Sequence, residues 1–270
     1  HAYATMVGRD IKRIRVAFND LKAVNMGATA VGTGMNADEK YKKLIVPVLS
    51  EISGITLTAA KDLVDGTRNC DTLAFASGAL KVLAVNLSKM CNDLRLMASG
   101  PKAGLAEIKL PDRQPGSSIM PGKVNPVIPE VMTQTAYKVM GNDVCVALAG
   151  DAAQMELNAM EPVMAQCCFE SADLLMNGFD TLRTLCIDGI TANRERCLAN
   201  VKNSIGIVTA LNPVIGYKNS TKIAMEALTT GKGVYDLVLE HDILSKDDLD
   251  TILKPENMIH PVKLDIHPKH

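Results

Sequence analysis

Tryptophan is absent, and four Phe and five Tyr hold the aromatic share to 3% of 270 residues. Sheet cores draw on aromatic cross-strand pairs. A 47% hydrophobic fraction supplied by Ala, Leu, Val, Ile and 14 Met points instead to helix packing. Excess charge is also missing: 29 basic residues face 30 acidic ones, a formal net charge of -1. No electrostatic footprint for nucleic acid or an anionic membrane follows from that balance. Seven cysteines (Cys70, Cys91, Cys145, Cys167, Cys168, Cys186, Cys197) are scattered without a C-x-x-C pair. The odd count argues against a disulfide framework and for a reducing, cytoplasmic setting. The vicinal Cys167-Cys168 lies in an apolar helical run, where packing is the better reading than a redox or metal pair. No apolar run reaches the ~18 residues of a membrane span and no signal peptide is visible, so no membrane partner is expected.

Helical periodicity is what the chain has in abundance. Leu73, Ala76, Leu80, Leu83, Leu87, Met90, Leu94 and Met97 alternate steps of three and four, a seam sustained over more than three heptads. Phe75, Ala79, Val82 and Val85 widen that stripe, as in a helix surrounded by several others. The same spacing recurs at Val7, Ile11, Ile14, Phe18, Leu21 and at Leu175, Phe179, Leu182, Cys186. A further long helix is expected after Pro129, with Glu130 at its dipole. The fold class is therefore all-α, a long-helix bundle over 1–202 followed by a small helical C-terminal domain over 203–270. In that second part, Leu211-Asn212-Pro213, Gly216, Gly231-Lys232-Gly233 and Lys254-Pro255 are expected to separate short helices. Ser245 reads as an N-cap with Asp248 at N3. The polar, Pro-broken tail from His260 is expected to be loose, and its histidines are not read as metal ligands.

Chemistry concentrates in Gly116-Ser117-Ser118-Ile119-Met120-Pro121-Gly122-Lys123-Val124-Asn125-Pro126, the loop 116–126. Glycines let backbone N–H groups converge on an anion. Lys123 adds a full positive charge, and Asn125 a donor and an acceptor. A phosphate-binding P-loop does not fit. Five residues rather than four separate Gly116 from Gly122, Val124 follows Lys123 where a hydroxyl belongs, and no strand leads in. Gly32-Thr33-Gly34-Met35-Asn36-Ala37 matches a loose dinucleotide pattern, which carries no weight without a βαβ unit.

The loop resembles the signature loop of the fumarase/aspartase superfamily, whose pattern is close to G-S-S-x-M-P-x-K-x-N-P. Other segments of the same resemblance follow in order: Asn25 to Gly34, Asn92-Asp93-Leu94-Arg95, Ala98 to Pro101, Glu156-Leu157-Asn158 and Gly189 to Asn193. Asn125-Pro126-Val127-Ile128-Pro129-Glu130-Val131 and Asn158 to Pro162 are similar to the aspartase branch. Fumarases more often follow the loop with Thr-Gln, which makes fumarate hydratase the alternative enzyme.

That resemblance implies an all-α homotetramer that eliminates ammonia from L-aspartate to give fumarate through an enediolate, with no cofactor required. Ser117 would be the general base. Lys123 and Asn125 would hold the substrate's α-carboxylate, and Ser118 would help stabilise the charge that develops. Gly116, Met120, Gly122 and Glu130 would support the loop and its surroundings. Nothing in the sequence places a metal site. In the family three separated segments from three subunits build each active site, and only the third has a counterpart here. With His1 inside a helical pattern, the chain reads as the C-terminal two-thirds of such an enzyme, expected to be inactive by itself. A non-catalytic helical assembly is the reading from another class.

Overall fold

The computed structural model describes residues 1–260 and 265–269. Among them eleven α-helices are present, α1 (Ala2–Asp20), α2 (Glu39–Ser53), α3 (Leu63–Arg68), α4 (Asp71–Met97), α5 (Val127–Asp151), α6 (Glu161–Leu185), α7 (Arg194–Lys202), α8 (Val208–Thr230), α9 (Val234–Glu240), α10 (Lys246–Ile252) and α11 (Pro255–Ile259). The strands are two residues long: Ala23–Val24 pairs in parallel with Thr58–Ala59 across α2, a crossover too short to form the sheet that a dinucleotide-binding unit would need around Gly32 to Ala37. Two compact units emerge, 1–191 and 192–270. Helix α7, assigned to the bundle on sequence grounds, lies in the second unit, where its Val201 packs on that unit's core.

The first unit is a bundle built on α4. This helix packs on α1 and α5, and α5 packs on α6. Ala76, Leu80, Leu83, Leu87, Met90 and Leu94 of the expected seam are all buried. From Leu80 to Leu94 they meet Met132, Ala136 and Val139 of α5 and Leu175 and Leu182 of α6 in one core, while Ala76 packs with Ala17 of α1. Each fully buried Leu there contributes about 1.5–3 kcal/mol over an exposed one. The widened stripe divides: Ala79 is buried and Val82 half-buried, while Phe75 and Val85 are exposed, because α1, α5 and α6 cover the other sides of α4. On length and composition α4 could cross a membrane, although no apolar run of that length was expected from the sequence. Its polar residues Ser77 and Ser88 are buried within the bundle, which is why an unbroken apolar stretch is not needed for its burial.

Polar clamps set the register of these helices. Asp10 of α1 is fully buried and accepts both contacts of the Asn86 amide, at 3.0 and 2.8 Å, plus Arg13 Nη1 at 2.7 Å. Asp143 of α5 accepts from Ser77 at 2.9 Å and Lys81 at 2.5 Å on α4. A buried carboxylate without such partners would carry a large desolvation cost, so only one sliding position of the helices satisfies them.

At the other end of α4, the Tyr3 hydroxyl donates to Asp93 Oδ2 at 2.6 Å, and Lys89 pairs with the same carboxylate. The bond to Asp93, then burial, raises the Tyr3 pKa to about 12, while Lys89 and then Tyr3 hold Asp93 below its ordinary value. Tyr235, in the second unit, is raised to about 12 by burial and its bond to Asp250. A raised phenol pKa gives stability that is complete below the unfolded value near 10 and lost as pH climbs through about 12. Alkaline titration of tyrosinate absorbance should therefore show two late tyrosines, reduced to one in Tyr3→Phe. Five tyrosines titrating together near pH 10 would contradict the Asp93 bond.

The second unit has its own core, with Leu211, Val234, Leu237, Val238, Leu244 and Leu249 fully buried or nearly so. Leu211-Asn212-Pro213 was expected to break the chain, yet helix α8 runs through it. The break falls at Gly216, whose φ of 77° and ψ of 159° only a glycine adopts readily. Pro213 is the sixth residue of α8, beyond the four unpartnered N–H groups of its start, so the helix continues through it at the loss of one backbone hydrogen bond. Ser245 caps α10 as expected, its Oγ accepting the Asp248 N–H at 3.1 Å. Of the tail expected to be loose, residues 261–264 and 270 lie outside the described residues. Within the described part, Ile266 packs on the core, and Lys269 donates its N–H to the Ile243 carbonyl at 3.0 Å.

Candidate active site

The loop between α4 and α5 ends in residues 116–126, and its base is closed by its own backbone. Gly116 N–H donates to the Lys123 carbonyl at 2.6 Å, and Pro115 and Val124 form an antiparallel bridge beside it. The Asn125 amide donates to the Gly116 carbonyl at 3.4 Å. A Cβ on Gly116 would sit 2.9 Å from the Lys123 oxygen and 3.1 Å from Asn125 Oδ1, so the closure requires a glycine there. At the tip, Lys123 N–H reaches the Met120 carbonyl at 3.2 Å across Pro121-Gly122. Proline second and a glycine of φ 77° third are the residues such a turn demands.

Inside this ring Ser117 is half-buried, and its Oγ accepts two backbone bonds, from Ile119 N–H at 3.1 Å and Met120 N–H at 3.2 Å. A serine hydroxyl that accepts twice keeps its own proton available for transfer. The same two donors aim at the oxygen that carries the charge once that proton leaves. Bonds to an ionised acceptor are about twice as strong as neutral ones, so the arrangement favours an alkoxide over what water would allow. Lys123 is exposed and makes no ion pair among the described residues, leaving its charge free for an anion. Ile119 and Met120 are exposed at the tip, Ile119 by 87%.

The structure thus brings Gly116, Ser117, Met120, Gly122, Lys123 and Asn125 into one closed loop. Ser118 is exposed and does not hydrogen-bond Ser117. Glu130 stands apart from the loop, in the first turn of α5, with Arg95 of α4 at 3.6 Å. Sequence reasoning singled out Asn92 to Arg95 without giving Arg95 this partner. No spacing rule links positions on different helices. The donors on Ser117 were expected only in general terms, as loop N–H groups. A serine bonding the N–H groups two and three residues on is a local pattern that sequence can suggest.

A helical bundle carrying such a loop is that of a lyase. Residues 1–141 match the family model described as lyase, and residues 207–260 match that described as fumarase C C-terminus. The chain belongs to the lyase family. It is similar to the aspartate ammonia-lyase of Pseudomonas aeruginosa, 55% identical over 262 residues, which covers 97% of this chain and 55% of that protein. The aspartate ammonia-lyase of Bacillus subtilis is 52% identical, with 96% of this chain and 55% of the relative covered. Among solved structures, the cobalt-bound fumarate lyase:delta crystallin of Brucella melitensis superposes with a TM-score of 0.91 at 43% identity, covering 96% of this chain and 56% of that one. A class II fumarase of Schistosoma mansoni gives 0.90 at 29% identity, covering 97% and 58%. The chain spans about half the length of the curated relatives it matches.

Proposed function

We propose that this chain carries the proton-abstracting loop of an aspartate ammonia-lyase, which converts L-aspartate to fumarate and ammonia. The observation that carries the reading is the pair of N–H groups on Ser117 Oγ, in the same closed loop as Lys123, which makes no ion pair among the described residues. The names of the relatives support the choice of substrate over malate.

In the proposed reaction Ser117, as alkoxide, takes a proton from Cβ of aspartate. The electron pair moves into the adjacent β-carboxylate, giving a doubly charged enediolate, and its return to the carbon chain expels ammonia from Cα. Lys123 and Asn125 hold the α-carboxylate, while Ser118 and the loop N–H groups face the developing charge. Glu130, steadied by Arg95, supports the loop's exit from the site. Proton removal and charge stabilisation are both assigned to this chain's own groups, so the step as proposed requires no cofactor. Ile119 and Met120 at the tip would cover bound substrate and exclude water on closure.

The proposal extends to a cytoplasmic homotetramer. Val144 and Leu148 on α5 and Phe169 and Met176 on α6 remain exposed, a large apolar area for one chain. None of the seven cysteines forms a disulfide among the described residues, in keeping with a reducing compartment.

Because the matched span is about half of the relatives' length, the test uses this chain alone and this chain fused to the N-terminal part of the Pseudomonas aeruginosa relative. Ammonia and fumarate should appear one for one from L-aspartate in the fused protein. Ammonia without fumarate would rule out the elimination. In that protein Lys123→Ala should raise KM for L-aspartate by about tenfold to a hundredfold, equivalent to about 1.4–2.8 kcal/mol, with a smaller change in kcat. An unchanged KM would remove Lys123 from the carboxylate site.

A further inference from the structure

The segment that leads into the loop from α4 is held to the bundle in two ways. Leu110 packs on the core of the first unit, and Pro111 sits against Gly189, where an added Cβ would come within 2.5 Å of the proline Cγ. Two residues on, Arg113 reaches the C-terminus of α6. Its Nε donates to the Leu185 carbonyl at 2.6 Å and its Nη2 to the Thr184 carbonyl at 3.4 Å. A helix leaves its last four carbonyls without intrahelical partners. The guanidinium meets two of them with the adjacent donors of one edge, at the negative end of the helix dipole. Past Arg113 such ties stop. Among the described residues, 114–124 hydrogen-bond only with one another and with Asn125. The closed ring that carries Ser117 therefore stands on two feet, Arg113 on α6 and the start of α5 at Val127.

We propose that Arg113 is a positioning residue, a latch that holds the N-terminal arm of the loop on the end of α6 so that Ser117 meets the substrate's Cβ. This rests on the function proposed above for Ser117. The two feet divide the work by chain distance. Ser117 follows Arg113 closely, whereas Asn125 lies beside Val127. With the Arg113 foot gone, the ring pivots about the start of α5, and Ser117 is displaced more than Asn125. The four residues from Arg113 to Ser117 span up to about 13–14 Å when extended, so the freed arm can carry Ser117 well beyond the ~1 Å that costs about 10² in rate. Losing the latch thus lowers the rate of proton removal more than the affinity for aspartate.

The latch itself is tested by limited trypsin digestion of the folded 270-residue chain, mapped by mass. Trypsin must draw an arginine or lysine side chain into its pocket, which Arg113 cannot enter while it holds Thr184 and Leu185. Arg113→Lys leaves a cleavable residue without the planar edge that meets both carbonyls. The bond to Gln114 should be cut about tenfold faster in Arg113→Lys than in the parent, although trypsin favours arginine in a free chain. Equal or slower cutting in the variant overturns the latch. Arg113→Met in the fused protein tests the consequence. There kcat for L-aspartate should fall by about tenfold or more, with KM within about twofold and the thermal midpoint close to the parent's. An unchanged kcat, or a higher KM in place of the lower kcat, would overturn the positioning role. So would a rate loss matched by a drop in the midpoint. The trypsin result does not depend on turnover, so failure of the latch and failure of the proposed function are told apart.

Discussion

Replacing Ser117 with Ala should lower fumarate formation from L-aspartate by about 10³-fold or more, with the fold retained. Among the described residues Ser117 belongs to no core cluster, and its hydroxyl bonds only the N–H groups of Ile119 and Met120. In the variant those two donors turn to water at the half-exposed loop, which costs little stability. What is lost is the single group placed to take the Cβ proton, together with the site where two preorganised dipoles stabilise its charge. Removing one such donor alone is typically worth ~10² to 10³ in rate. Thermal unfolding close to the parent's, combined with the rate loss, would separate a chemical role from a structural one. A variant retaining a tenth or more of the parent rate would show that another group removes the proton.

Leu87→Ala should destabilise the first unit by about 2–5 kcal/mol. Leu87 is 0% exposed at the middle of α4, where the core residues of α5 and α6 converge. Truncation removes its transfer free energy and leaves a cavity that long, clamped helices close only in part. Asp10 with Asn86 and Asp143 with Lys81 prevent α4 from sliding to refill the space. Denaturant unfolding should show a lower midpoint at an unchanged m-value. Ile52→Ala, at a position 79% exposed on α2, is the control and should change stability by about 0.5 kcal/mol or less. Equal losses at both positions would mean that the seam is not the centre of the core.

The long helices were legible because a three-four spacing of apolar residues has one structural solution. Seam residues from Ala76 to Leu94 are buried as their period requires. Boundaries were less so. Pro129 was expected to precede α5, yet the helix opens at Val127, because proline is tolerated anywhere in a first turn whose N–H groups lack partners. In the second unit proline and glycine competed as breakers, and Gly216 prevailed over Pro213 through its left-handed backbone angle. Within the site, the residues of the loop could be named because they are contiguous. Contacts between distant positions could not be. Asp10 with Asn86 and Arg95 with Glu130 each join separate helices, and their pairing depends on a register that only the folded bundle defines. The vicinal Cys167-Cys168 packs as its apolar run suggests, Cys167 in a small core with Val146, Ala149 and Met164 and Cys168 against that core.

The central claim is most directly tested by ultraviolet absorbance of fumarate formed by the fused protein from L-aspartate and from L-malate in parallel. Fumarate from L-aspartate alone is the predicted result. Fumarate from L-malate alone would contradict it and make water, not ammonia, the leaving group that this loop serves.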